Sequence, residues 1–244
     1  MLRGFLIMRG LPDPSEVHDI YRRILYSYSV NRRKQLFIFD FDGTIADSVP
    51  AALRIIEELG KEYALPEVDP AIIPELKHKS VRELMQMSGL SWMEIPGFMK
   101  KARLRFRDMI EDVLPIPGMP ELIRHLTKQN TRMGILTSNR EDNVRDFLRK
   151  YELEVFEFVE SSAALFGKSR KLRKIMKTTG LQPEDLVMIG DEVRDINASK
   201  KTRITSVAVT WGFNSVELLT KSSPDHLVES STQLAELLRE LRSS

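Results

Sequence analysis

The sequence predicts an α/β protein, a doubly wound parallel sheet that carries one small helical insertion. Three observations lead there. Four short apolar runs, "QLFIFD", "RMGILTSN", "DLVMIGDE" and "ITSVAVTWG", each stop at a polar or Gly-rich turn. Continuously apolar runs of this length suit parallel strands, which are covered on both faces. Helical patterns lie between the runs, and strand alternating with helix gives right-handed crossovers and a Rossmann-like sheet. The alternation fails only from about 49 to 114, where the text is helical and punctuated by Pro66, Pro70, Pro74, Pro96 and Gly97.

The elements can be justified in order. Residues 1–34 form an N-terminal extension with seven Lys or Arg against three acids. Within it, "SEVHDIYRRILYSYSV" has the pattern of an amphipathic helix, a dimer contact or a flexible arm, and the residues do not choose among these. Leu36 to Phe39 is the first strand and runs directly into Asp40 and Asp42. "DSVP" then reads as a helix cap, with Asp47 or Ser48 at the N-cap and Pro in the first turn. The insertion holds "PAALRIIEELGKEYAL", "SVRELMQMSGL" and "GFMKKARLRFRDMIEDVL". "LPIPGMPELIRHL" returns the chain to the core through a Pro-Gly turn that opens a helix. "REDNVRDFLRKYEL" and "SRKLRKIMKTTG" are further helices, the second closed by Gly180. "VFEFVE" (155–160) alternates and reads as a fifth, less buried strand. The predicted division is an extension 1–34, a core of 35–48 with 115–244, and an inserted helical domain 49–114.

Composition narrows the function classes. With 42% hydrophobic and 30% charged residues the chain has the make-up of a globular protein. No apolar run approaches the roughly 20 residues needed to cross a bilayer, so no membrane partner is expected. The chain has no Cys, which excludes thiolate chemistry, fits a reducing compartment and makes the cytoplasm the expected location. A net charge of +2 does not indicate nucleic acid. The basic runs "KKARLRFR" and "KSRKLRKIMK" have the spacing of amphipathic helices with solvated faces.

Ligands of doubly wound sheets bind at the carboxyl ends of the strands. Those ends carry Asp40 and Asp42, then Thr137 and Ser138, then Asp191 and Asp195, with Lys168 in the loop "LFGKS". Carboxylates gathered in one crevice repel one another unless a cation sits among them, and an all-oxygen set without His or Cys favours Mg²⁺. Mg²⁺, a hydroxyl and a Lys together suit a phosphoryl group. One carboxylate can act as nucleophile and another as acid and base. Residues i and i+2 of an extended strand point the same way, which brings Asp40 and Asp42 to one side.

"DFDGT", "ILTSN", "LFGK" and "GDEVRD", in this order, resemble the four motifs of the haloacid dehalogenase superfamily in its phosphatase branch, and they frame residues 36 to about 230. The resemblance implies Asp40 as nucleophile and metal ligand. It implies Asp42 as acid/base, with its backbone carbonyl on the metal. Thr137 and Ser138 would hold phosphoryl oxygens, Lys168 would neutralise them, and Asp191 and Asp195 would complete a Mg²⁺ site. Residues 49–114 would be the cap that closes over the site and selects the substrate. The dehalogenase branch lacks the second Asp, so Asp42 points to a phosphatase. The nearest group is the phosphoglycolate phosphatases, which implies a small phosphorylated metabolite as substrate; Ser169 stands where that group usually has Pro. Two alternatives remain at this point: a phosphotransferase or phosphomutase of the same fold, and a regulatory protein that binds a phosphorylated ligand without turnover. The cap residues Lys77, His78, Lys79 and Arg82 either meet an anionic leaving group or form a solvated helix end.

Overall fold

Leu36–Phe39 (β1) is buried at every residue, and the fold is laid out on either side of it. The computed structural model describes residues 35–67, 69–91, 93–162 and 167–243. The N-terminal extension, with its amphipathic stretch, and Leu165 and Phe166 of "LFGK" lie outside the described residues. The other strands are β2 (Ala46–Asp47), β3 (Leu114–Pro115), β4 (Arg132–Thr137), β5 (Val159–Ser161), β6 (Leu186–Gly190), β7 (Thr205–Val209) and β8 (His226–Val228). The helices are α1 (Val49–Glu62), α2 (Ile73–Leu76), α3 (Val81–Ser88), α4 (Ile95–Met109), α5 (Met119–Lys128), α6 (Glu141–Lys150), α7 (Lys168–Thr179), α8 (Val193–Thr202), α9 (Val216–Lys221) and α10 (Ser231–Leu241).

Six strands form one parallel sheet in the order β5-β4-β1-β6-β7-β8. β2 and β3 make a separate antiparallel pair at the two ends of the 49–114 interval. Strand order reverses at β1, whose neighbours are β4 on one side and β6 on the other. That reversal opens a crevice at the carboxyl end of β1, where the chain places Asp40.

Successive β1 side chains serve opposite faces. Phe37 and Phe39 join Ile135, Val187 and Ile189 under helices that include α5, α6 and α10. Leu36 and Ile38 join Leu136 and Met188 under Leu172 and Ile175 of α7 and Ala198 of α8. The sheet is therefore fixed from both sides. The four expected central strands are all present.

Three details differ from expectation. The fifth strand is β5, confined to Val159–Ser161, although backbone bonds from Glu157 N to Met133 O and from Ile135 N to Phe158 O already tie the preceding residues to β4. A sixth strand, β8, was not expected. Ser48 does occupy the N-cap of α1 with Pro in the first turn, but its hydroxyl makes no capping bond.

Among the described residues from 49 to 109 the regular elements are the helices α1 to α4 and a short 3-10 turn at Pro70–Ile72. α1 and α4 lie together, with Tyr63 and Phe98 edge to face at 5.4 Å and an Arg105–Glu58 ion pair at 2.8 Å. α3 begins at a Ser80–Glu83 capping box and ends at Gly89, whose φ is +78°.

Candidate active site

Asp40 continues the β1 ladder by donating its N–H to Ile189 O at 2.8 Å, so its backbone is held to β6. Its carboxylate is fixed as well. Oδ1 accepts the Phe41 N–H at 2.8 Å, and Oδ2 lies 2.6 Å from Lys168 Nζ. The chain turns at Gly43, with φ +73°, and a Cβ there would land on the Asp191 carboxylate. The Gly of "DFDGT" thus serves both the turn and the close approach.

Lys168, expected in a loop, is instead the first residue of α7. It is buried, and its Nζ also meets Asp195 Oδ1 at 2.5 Å. Burial works against its charge, but Asp195 and Asp40 outweigh burial and raise its pKa. Asp195 is the third residue of α8. Its Oδ2 accepts the Glu192 N–H at 3.3 Å, half of a capping box at the helix start. Burial is the largest cause that pushes Asp195 up to about 7, with Lys168 opposing it and Asp40 adding to it.

Asp191 directly follows β6 and lies ahead of the helix that carries Asp195. Its two oxygens have separate donors, Thr44 Oγ1 at 2.9 Å and Phe213 N at 2.7 Å. It is fully buried, and burial together with the charges of Glu192, Asp40 and Asp195 raises its pKa well above the ordinary carboxylate range. Beside it, Arg194 Nε bonds Glu192 Oε2 at 2.9 Å, and Arg194 Nη2 bonds the other oxygen. Despite burial, Arg194 holds Glu192 below its usual range.

Asp42 takes its partner from the segment that follows β4. Asn139 Nδ2 lies 3.1 Å from each of its oxygens. Asp42 keeps part of its surface open, yet the desolvation of its carboxyl and then the Asp40 charge push it up to about 7, against the lowering effect of Asn139. Thr137 is fully buried at the end of β4, with Oγ1 accepting the Asn139 N–H at 2.9 Å. Ser138 follows, its carbonyl accepting from Arg103 Nε of α4 at 3.0 Å.

The donor set can be tested against a cation. Asp40, Asp191 and Asp195 are buried and each offers a carboxylate oxygen, all within 4.8 Å of one another. Three hard oxygens, two of them on carboxyls whose pKa is raised by burial and mutual repulsion, fit a hard divalent ion. The Asp42 carboxylate is not one of the trio.

Next to Lys168 lies a pocket of about 410 Å³ between the core and the insertion. Its walls include Lys168, Arg194, Asn197 and Lys201 from the core and Ser80 and Arg82 from the insertion. Of the cationic residues noted at 77–82, Arg82 lines this pocket. Lys77 and His78 are engaged elsewhere, Lys77 Nζ with Gly212 O at 3.0 Å and His78 Nδ1 with Ser215 Oγ at 2.8 Å. Sequence reasoning gave no role to Thr44, Asn139, Glu192, Arg194 or Phe213. Four of the five lie in or beside the quoted motifs, so their positions were marked; their partners were not.

Fold and site together define a hydrolase of the phosphatase type. Residues 37–209 match the sequence model of the haloacid dehalogenase-like hydrolases, and the chain belongs to that family. It is 30% identical over 208 residues to a phosphoglycolate phosphatase from Synechococcus elongatus, covering 85% of this chain and 98% of that protein. Among solved structures it resembles a predicted phosphatase from Clostridium acetobutylicum, with a TM-score of 0.74, 20% identity and coverage of 84% of this chain and 98% of that one. It also resembles a haloacid dehalogenase-like family hydrolase from Streptococcus pneumoniae, with a TM-score of 0.71, 22% identity and the same coverage. No helix among the described residues is long and apolar enough to cross a membrane.

Proposed function

We propose that the protein is a Mg²⁺-dependent phosphatase that hydrolyses a small phosphate monoester of the phosphoglycolate type through an aspartyl phosphate on Asp40. The observation that carries this reading is the Asp40 carboxylate, held at the end of β1 by the Phe41 N–H and Lys168 and adjoining two further buried carboxylates. Asp40 attacks phosphorus, the ester P–O bond breaks, and the leaving alkoxide takes the proton of Asp42. A pKa near 7 keeps part of Asp42 protonated at neutral pH. Water then attacks the same phosphorus, gives its proton to Asp42, and releases phosphate and the Asp40 carboxylate.

Lys168 neutralises the phosphoryl oxygens. Thr137 spends an Oγ1 lone pair on Asn139 and keeps its own hydrogen for the phosphoryl group, with the Ser138 side chain and N–H as neighbours. Mg²⁺ held by Asp40, Asp191, Asp195 and the Asp42 carbonyl would supply charge neutralisation for the phosphoryl group. Residues 49–114 serve as the cap, and Arg82 on its α3 is suited to an anionic group distal to the phosphate. The relative named as a phosphoglycolate phosphatase supports the substrate class. The lack of Cys supports a cytoplasmic location.

The test is inorganic phosphate release from a panel of small phosphate esters, with and without Mg²⁺, with Asp40→Asn as the control. We expect metal-dependent release that the variant lacks. Transfer of the phosphoryl group to a sugar hydroxyl without free phosphate would indicate a phosphomutase instead, and a folded protein that binds the esters without any turnover would indicate a regulatory role.

A further inference from the structure

We propose that residues 212–215 form a positioning strap that couples seating of the helical insertion to the orientation of Asp191, with Asn214 as its positioning residue. The inference rests on the reading of Asp191 as a metal ligand. Toward the core, the strap presents the Phe213 N–H to Asp191 Oδ2 at 2.7 Å. Gly212 lies so close that a Cβ there would strike the same carboxylate, so backbone alone can occupy this position.

Toward the insertion, the strap makes bonds at nearly every residue. Lys77 Nζ donates to Gly212 O at 3.0 Å, the Ser215 N–H donates to Lys77 O at 2.9 Å, and Ser215 Oγ meets His78 Nδ1 at 2.8 Å. Asn214 is buried and uses both ends of its amide. Nδ2 donates to Lys79 O at 3.3 Å, and Oδ1 accepts the N–H of Val193, two residues after Asp191, at 2.9 Å. Gly212 and Ser215 therefore bond to the insertion, Phe213 to Asp191, and Asn214 to both the insertion and the segment after Asp191. An insertion that lifts away must release Gly212 O, the Ser215 N–H and the Asn214 amide, and with them the Phe213 N–H loses its fixed aim. Coupling of this kind is reciprocal: a cation that requires the set carboxylate also favours the seated insertion.

The test uses the full chain and two variants outside the catalytic groups, Lys77→Met and Asn214→Ala, with Mg²⁺ affinity read by calorimetry. Amide exchange of residues 77–88, with and without Mg²⁺, provides the second readout. We expect each variant to bind Mg²⁺ about threefold to tenfold more weakly, the scale of one or two hydrogen bonds. In the wild type, Mg²⁺ should slow exchange in 77–88, and Lys77→Met should lose that protection. Removing a positive charge would by itself strengthen cation binding, so weaker binding by Lys77→Met isolates the positional effect. Unchanged affinity in Lys77→Met overturns the coupling, even if Asn214→Ala is impaired, because Asn214 would then only prop the start of α8. Exchange in the wild type that is indifferent to Mg²⁺ also overturns it. Asp191→Asn must bind Mg²⁺ far more weakly than the wild type; if it does not, or if the wild type takes up no Mg²⁺, the metal assignment fails first and the strap falls with it.

Discussion

The strand ends of the core and the helical insertion are built to different standards. Every residue of β1 and β6 is buried, and the carboxylates that leave them have partners within the core. In the insertion, α3 buries no residue fully and α4 buries only Ile95 and Phe106. Its contacts with the core are both apolar and polar: Ile55, Leu59 and Phe106 join the cluster of Phe37, Phe39 and Phe41, while Arg103 reaches Ser138 O and Lys77, His78 and Lys79 reach the 212–215 segment. β1 and β6 are buried along their whole length, whereas α3 buries no residue and the residues before it, 77–79, meet the core through hydrogen bonds. Elements that must open for ligand exchange are drawn from such weakly buried regions.

Five substitutions, in descending order of expected effect, test this contrast. The largest expected effect is at Asp40: Asp40→Asn should lower turnover by more than about a thousandfold, with circular dichroism and melting close to wild type. Packing comes next. Phe39→Ala should cost about 3–5 kcal/mol in denaturant unfolding, since the ring is fully buried. Phe98→Ala, on the half-buried α1–α4 contact, should cost less than half as much; equal costs would erase the distinction between the regions. Arg82→Ala should raise KM about tenfold for an ester with a second anionic group and leave kcat and neutral esters nearly unchanged.

The smallest effect lies at the sheet edge, at Asp225, whose Oδ2 accepts from Ser206 N at 2.8 Å and from Ser206 Oγ at 2.7 Å. Burial opposes ionisation there, but the Ser206 bonds outweigh it and lower the pKa below 3.8. Its contribution is therefore complete above 3.8 and is lost as pH falls through the folded value. Asp225→Asn should cost about 0.5 kcal/mol at neutral pH, a figure discounted because the side chain is exposed. Unfolding measured along a descending pH series should show that difference closing.

The central sheet was legible because parallel strands buried on both faces leave uninterrupted apolar runs, as in "LFIF" and "LVMIG". β8 left no such trace, since "HLV" is three residues long between polar flanks at the sheet edge. β5 was placed early for a related reason: Val155 and Phe156 are apolar like a strand, yet regular pairing settles only at Val159–Ser161. The proposed site residues stood out because carboxylates directly after apolar strands are conspicuous. Their partners did not. That Thr44 and Phe213 would divide the oxygens of Asp191, and that Asn139 would hold Asp42, depend on contacts between segments far apart in the chain. Spacing within a motif carries no information about such contacts.

The most direct test of the account is to quench the enzyme in acid during turnover of its best ester with Mg²⁺ and search the digested protein by mass spectrometry. The account predicts a phosphoryl group on the peptide that contains Asp40, absent from Asp40→Asn. Rapid phosphate release with no phosphoryl group on that peptide at any time point, or an Asp40→Asn variant that turns over normally, would contradict it.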